Sequence, residues 1–165
     1  MELNFAIATE GDAAAIAQLA TATNRHLLDT FSRDSSKSLA TEKAVLLGIK
    51  TPHVLLARHG NQIVAVLSLK KKKPWAIDPA YFTAVRTALY ITNMAVAPEF
   101  QRQGVGRSLL NYARTIAQSW PADAIRLDAY DSEIGAGGFY ARCGYREVGR
   151  VTYRKTPLIY FELVV

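Results

Sequence analysis

The sequence predicts a mixed α/β fold, a mainly antiparallel sheet of six to seven strands with helices on both faces. Three observations predict it. The elements read off the chain run β-α-α-β-β-β-α-β-α-β-β. Two pairs of neighbouring apolar runs are joined by short polar connections, which is how antiparallel strands are linked. Half of the 165 residues are hydrophobic and 21% are charged, the balance of a globular chain with a sizeable core.

Leu3 to Ala8 alternates, with Leu3, Phe5 and Ile7 on one side, and predicts the first strand. Asp12 follows a glycine and precedes an alanine-rich run, so it is the expected N-cap of a helix ending near Thr21. Residues 22 to 40 are mixed and carry no chemical signature. Ser38 or Thr41 opens a second helix that Thr51-Pro52 ends. His53 to Arg58 and Gln62 to Leu69 form a hairpin about His59-Gly60-Asn61. The second of these runs is nearly continuous, which predicts a central strand covered on both faces. Lys70 to Lys73 and Pro74 end it, and residues 74 to 88 form a loop with Trp75, Tyr81 and Phe82.

Leu89 to Val96 is the next strand and Pro98 stops it. Gly104-Val105-Gly106 then opens a long helix. Its apolar face is Val105, Leu109, Leu110, Ala113, Ile116 and Ala117, and Trp120-Pro121 closes it. Ala124 to Ala129 is a strand. Gly135 to Cys143 is a short helix with Gly144 as its cap. Tyr145 to Val151 and Leu158 to Val165 are two final strands, antiparallel neighbours around Tyr153 to Pro157. No repeat, linker or domain boundary stands out, so one domain over 1–165 is expected.

Lys and Arg number 20 against 14 Asp and Glu, a net charge of +6 that suits an anionic ligand. The only cysteine is Cys143, so no intrachain disulfide forms and a reducing compartment is expected. The N-terminus has no basic stretch before an apolar run, and no apolar run reaches the roughly 20 residues that span a bilayer. The cytoplasm is therefore the expected location, with no membrane partner. His26, His53, His59 and Cys143 lack ligand spacing, so no metal is expected.

The chemistry concentrates in Gln101-Arg102-Gln103-Gly104-Val105-Gly106-Arg107-Ser108, where a strand hands over to a helix. A helix start has N–H groups outside its own ladder and a partial positive charge. Gly104 and Gly106 let the backbone turn and let an oxygen-rich group approach. Arg102 and Arg107 add charge, and Ser108 adds a hydroxyl. The result is a cradle for a phosphate or pyrophosphate. A Walker A loop would need Gly-Lys-Ser/Thr, which is absent. A dinucleotide fingerprint would need a third Gly or Ala where Leu109 stands, and a tighter turn than Ala97 to Gln103 provides. The run fits Q/R-x-x-G-x-G/A instead.

The stretch Asn93 to Gly106, followed by Leu109-Leu110, resembles the acetyl-CoA-binding core of the GNAT N-acetyltransferase superfamily. Phe139 to Gly149 resembles that superfamily's helix ending in Tyr-x-x-x-Gly-Phe and its following strand. The resemblance implies a GNAT-like sheet and an enzyme that moves the acetyl group of acetyl-CoA directly to an acceptor amine. It implies that Met94, Ala95 and Val96 hold the pantetheine arm through their backbone, one N–H facing the thioester oxygen. It implies that Gln101 to Ser108 bind the pyrophosphate, with Arg102 and Arg107 reaching toward the adenosine phosphate. It also implies that Tyr140 is the general acid for the departing CoA thiolate.

One position departs from the family. Many members have an Asn seven residues before this tyrosine, where this chain has Glu133, with Ser132 beside it. No general base stands out among Glu99, Asp78, Asp128, Glu133 and His53. A small-molecule amine is the expected acceptor, and the 74–88 loop and residues 22–40 are expected to shape its pocket. A protein N-terminus or lysine is the alternative acceptor, and a catalytically silent CoA-binding module the alternative function. Lys70 to Lys73 with Trp75, Tyr81 and Phe82 could hold single-stranded nucleic acid, but are better read as a solvated strand end. A homodimer stays open.

Overall fold

The computed structural model describes residues 1–31, 41–50, 53–133 and 135–165. Their elements follow the predicted order. These are β1 (Asn4–Ile7), α1 (Ala13–Phe31), α2 (Glu42–Lys50), β2 (His53–His59), β3 (Gln62–Lys70) and β4 (Ala88–Val96). They continue with α3 (Val105–Ser119), β5 (Ala124–Tyr130), α4 (Gly137–Arg142), β6 (Arg146–Tyr153) and β7 (Thr156–Val164). The strands form one seven-stranded sheet in the order β1-β2-β3-β4-β5-β7-β6. β1–β2, β2–β3, β5–β7 and β6–β7 pair antiparallel, and β4–β5 pairs parallel. Contacts divide the chain into two compact units, Met1–Leu69 with Asn93–Ala113, and Lys70–Thr92 with Arg114–Val165.

In the first unit, β3 is buried along most of its length, as its continuous apolar run predicts. Its register with β2 skips one residue of β3 between Ala57 and Arg58. That skip brings Ile63 to the same side as Val66, and both join a core with Ile16 and Leu19 of α1 and Val54 and Leu56 of β2. Val45 and Ile49 of α2 pack against it. The opposite face carries Phe5, paired with Ala57, and there the Phe5 ring stacks on Tyr112 of α3 at 5.3 Å. Helices thus cover both faces of this part of the sheet. Burying a leucine such as Leu55 or Leu67 contributes about 2 kcal/mol over leaving it exposed.

The start of α1 differs from the expectation. A 3-10 turn, Glu10–Asp12, precedes the helix, with Thr9 at that turn's N-cap and Asp12 directly before the first residue of α1. The Asp12 carboxylate accepts from the Thr9 N–H at 2.9 Å and from its hydroxyl at 3.2 Å, and it ion-pairs with Arg58. Burial alone would raise the Asp12 carboxyl, but the Thr9 donors and Arg58 outweigh it and hold it below its ordinary value. α1 also runs ten residues past the expected end at Thr21. The hydroxyls of Thr21 and Thr23 donate to the carbonyls of Ala17 and Leu19, so these β-branched residues satisfy themselves inside the helix. Thr41 opens α2 by accepting from the Ala44 N–H at 3.2 Å. Ser38 and the stop at Thr51-Pro52 lie outside the described residues.

The second unit is built on β5, β7 and β6. Ile77 and Phe82, from the segment between β3 and β4, pack with Tyr90 against Tyr160 of β7. The Tyr81 ring lies against Gly149, where a Cβ would come within 2.3 Å of it. A buried ion pair joins Arg126 Nε to Glu162 Oε2 at 3.0 Å. Glu162 Oε1 also accepts from the N–H and hydroxyl of Thr83. Burial pushes the Glu162 carboxyl up, yet the bonds from Thr83 and Arg126 prevail and hold it below its usual value. Its charge is therefore kept, with Arg146 also ion-paired to Glu162 at 3.5 Å.

Candidate functional site

β4 ends at Val96, and a short 3-10 turn, Pro98–Phe100, leads into the glycine loop. Two glutamines lock that loop onto its own backbone. Gln101 Nε2 donates to the Val96 carbonyl at 3.1 Å, and Gln103 Nε2 donates to the Glu99 carbonyl at 2.8 Å. Between them Arg102 takes φ +59, and Gly104 follows at φ +84. Nothing lies within 4 Å of where a Cβ on Gly104 would point. The first α3 ladder bond runs from the Ser108 N–H to the Gly104 carbonyl at 3.0 Å. The N–H groups of Gly104, Val105 and Gly106 stand ahead of it, at the positive end of the helix.

Side chains around this loop divide by role. Val105 and Gly106 are buried, Ser108 is half-buried, and Arg102 and Arg107 are exposed. The apolar residue therefore anchors the helix start while the arginines stay outside. Along β4, Ala95 is buried in the first unit's core, and Met94 and Val96 are half-buried. Alternation breaks just before them, because Thr92 and Asn93 are exposed in succession. The loop has what a pyrophosphate needs: backbone donors, open space at Gly104 and flanking guanidinium groups.

Tyr140 lies on α4 in the second unit. It is buried, with ring contacts to Phe139 at 5.2 Å and to Tyr145 and Phe161 at 5.9 Å. Desolvation first, then the nearby Asp128 and Cys143, pushes its phenol up to about 12. The phenol therefore stays protonated at neutral pH. α4 is shorter than expected, and Gly135 stays outside it. A Cβ on Gly135 would come within 2.1 Å of the Tyr130 carbonyl, and one on Gly137 within 3.2 Å of Ile159 Cδ1. These glycines serve close packing against neighbouring chain. Gly144, at φ +89, ends the helix.

The remaining candidates scatter. Ser132 and Glu133 are exposed, in the turn after β5. Glu99 accepts from Gln62 at 3.3 Å, and Asp78 from the Ala80 N–H at 3.0 Å. Asp128 is half-buried, with its field on both Tyr140 and Tyr160. Among the described residues, no group of three His, Cys, Asp or Glu side chains could hold a metal ion. No described helix is long and apolar enough to cross a membrane. In the lysine tract, Lys71 lies over the Trp120 ring at 5.3 Å and Lys73 donates to the Pro74 and Ile77 carbonyls. Phe82 is buried, so the tract is not the open array of cations and rings that a single strand would need.

Sequence reasoning missed Tyr145. Its hydroxyl is buried and has no hydrogen-bond partner among the described residues, and desolvation raises its pKa. Tyr145 stands where the resembled Tyr-x-x-x-Gly-Phe motif has Phe, so its hydroxyl is the departure that could have been read from the sequence.

The sequence model described as the acetyltransferase (GNAT) family matches residues 15–145. GCN5-related N-acetyltransferase 4, chloroplastic, of Arabidopsis thaliana is 32% identical over 59 residues. That match covers 36% of this chain and only 20% of the relative, so the chain spans about a fifth of that protein's length. Among solved structures, the PaiA N-acetyltransferase from Thermoplasma acidophilum in complex with coenzyme A superposes with a TM-score of 0.75 at 13% identity. That alignment covers 97% of this chain and 98% of the other. A ribosomal-protein-alanine N-acetyltransferase from Brucella melitensis gives a TM-score of 0.75 at 17% identity, over 98% and 99% of the two chains. At such identities these structures establish the shared fold.

Proposed function

Because the chain belongs to the acetyltransferase (GNAT) family, we propose that it moves the acetyl group of acetyl-CoA directly onto the amine of a small molecule. The observation that carries this reading is the loop ahead of α3, where left-handed Gly104 leaves open space beside helix-start N–H groups. On this reading, Gln101 to Ser108 hold the pyrophosphate, mainly through backbone N–H groups. Met94, Ala95 and Val96 hold the pantetheine through backbone polar groups, one of which donates to the thioester oxygen. Residues 1–165 act as one catalytic domain, and the single cysteine suits the cytoplasm.

In the reaction, the amine nitrogen forms a bond to the thioester carbon, the carbon–sulfur bond breaks, and the nitrogen gives up a proton. Tyr140 serves the departing sulfur. Its phenol near 12 is a weaker acid than a thiol near 8.5, so complete transfer to the thiolate is uphill by about 5 kcal/mol. The phenol therefore acts by donating a hydrogen bond to the sulfur, and the proton that ends on CoA comes from the amine through water. This narrows the general-acid role expected from the motif.

The test is release of CoA thiol from acetyl-CoA with a panel of small amines and of peptides bearing free N-termini. Acetylation of small amines is the expected result. Faster transfer to the peptides would overturn the small-molecule reading. Thermal unfolding supplies the other arm, because acetyl-CoA at 100 times its Kd should stabilise the chain by about 2.7 kcal/mol. The absence of both thiol release and a thermal shift would sink the proposal.

A further inference from the structure

The second unit contains a cavity that the donor-binding features do not use. It has a volume of about 420 Å³, within the range of small-molecule sites. Four aromatic residues line it, namely Trp75, Tyr81, Tyr153 and Tyr160, together with the carboxylate-bearing Asp78. Trp75 is 84% exposed, a large apolar surface left in water beside a concave wall. Tyr160 is held in place, since its hydroxyl donates to the Ala76 carbonyl and accepts from the Asp78 N–H at 3.1 Å. Asp78 uses Oδ1 to accept from Ala80, and its other oxygen carries no bond among the described residues.

Among the described residues, the one charged side chain in the lining is the Asp78 carboxylate, and the two cations beside it are engaged elsewhere. Lys73 is occupied by the carbonyls of Pro74 and Ile77, and the Arg154 guanidinium lies over the Tyr153 ring at 5.3 Å. The cavity also sits close to Tyr140. Tyr160 and Phe161 are successive residues of β7 and point to opposite faces, and Phe161 is in ring contact with Tyr140. The cavity and the phenol are thus separated by one strand.

We infer that this cavity is the acceptor subsite, and that it takes an organic amine with a flat or aromatic body. The amine arrives as an ammonium paired with Asp78, gives one proton to water to become the neutral nucleophile, and its body lies on the rings of Trp75 and Tyr81, which attract cations as well as apolar surface. The inference rests on the acetyl-transfer reading above and names its substrate class.

The experiment is calorimetric titration of the whole chain with 2-phenylethylamine, benzylamine and tyramine, with 3-phenylpropionate and 2-phenylethanol as charge-reversed and neutral controls. Saturable binding of at least one amine is expected, tenfold or more tighter than either control. Asp78→Asn keeps the acceptor oxygen that caps the Ala80 turn and removes the charge, so it should weaken amine binding tenfold or more. Trp75→Ala should do the same. In turnover, Asp78→Asn should raise the amine KM by that factor with kcat within threefold. Equal binding of 3-phenylpropionate, no amine binding, or an unchanged affinity in Asp78→Asn would overturn the subsite. Thermal shift with acetyl-CoA is measured on the same samples. Its loss in the unmodified chain strikes the donor reading, while its survival alongside a failed titration strikes the subsite alone.

Discussion

The loop ahead of α3 and the short helix α4 both depend on glycine, but they use the missing side chain differently. Gly104 needs a left-handed backbone, and the space around it is open. Gly137 is pressed against β7, where a Cβ would meet Ile159 and Phe161 at 3.2 and 3.6 Å. The loop therefore directs backbone donors outward and tolerates many side chains. The helix sinks one phenol among aromatic rings and depends on who its neighbours are. A backbone site is set by local conformation, whereas a buried side-chain site is set by packing.

The contrast can be broken in graded ways. The largest effect is expected at Tyr140. Tyr140→Phe should lower kcat by about 100-fold, the lower end for a hydrogen-bond donor aimed at developing charge, with the acetyl-CoA KM within about threefold. An unchanged kcat would leave α4 as packing alone.

Alkaline stability comes next. The Tyr140 phenol titrates in the folded chain near 12, for reasons of desolvation first and then Asp128 and Cys143, and in the unfolded chain near 10. Its contribution is whole below pH 10 and is lost as pH rises from 10 through 12, about 3 kcal/mol in all. Chemical denaturation between pH 9 and 12 should show that loss, and Tyr140→Phe should make the curve shallower, the remaining slope belonging to Tyr145 and Tyr160, whose phenols desolvation also raises. Parallel curves would mean the phenol is not desolvated.

On the loop side, Gly104→Ala should cost about 1–2 kcal/mol through the left-handed backbone and raise the acetyl-CoA KM, with Gly104→Asn losing less. Equal losses would show that space, not conformation, matters there. The smallest effect is expected at Gly137. The nearest atom is the end of a flexible side chain, so Gly137→Ala should cost under about 1 kcal/mol. In an Ile159→Val background, which removes that atom, the same change should become stabilising by helix propensity, read as a rise in Tm.

These contrasts explain what could be read from the chain alone. The element order was legible because β3, α3 and β5 have clear apolar periodicity. The loop was legible because its chemistry lies in glycine spacing within one stretch. The tie from Asp12 to Arg58 was hidden because it joins residues 46 positions apart in the chain. The extension of α1 was hidden by threonines that bond back to their own helix. The surroundings of Tyr140 come from Tyr145 and Phe161, and the cavity joins Trp75 to Tyr153 and Tyr160. Such groupings appear only once strands have paired. Of the two segments expected to shape the acceptor pocket, the 74–88 loop does line a cavity. Residues 22–31 belong to α1, and 32–40 lie outside the described residues.

The segment from Ala76 to Thr87 is fastened at successive points. Ala76 and Asp78 bond to the Tyr160 hydroxyl, Thr83 to Glu162 and Arg126, and the Thr87 N–H to Asp123 at 2.9 Å. Such a segment has little left to order when a molecule arrives beside it. Its amide hydrogens at Asp78, Thr83 and Thr87 should exchange with deuterated solvent nearly as slowly as those of β7. Encounter with a ligand there would then proceed at a rate set by diffusion and orientation, with no slow gate ahead of it.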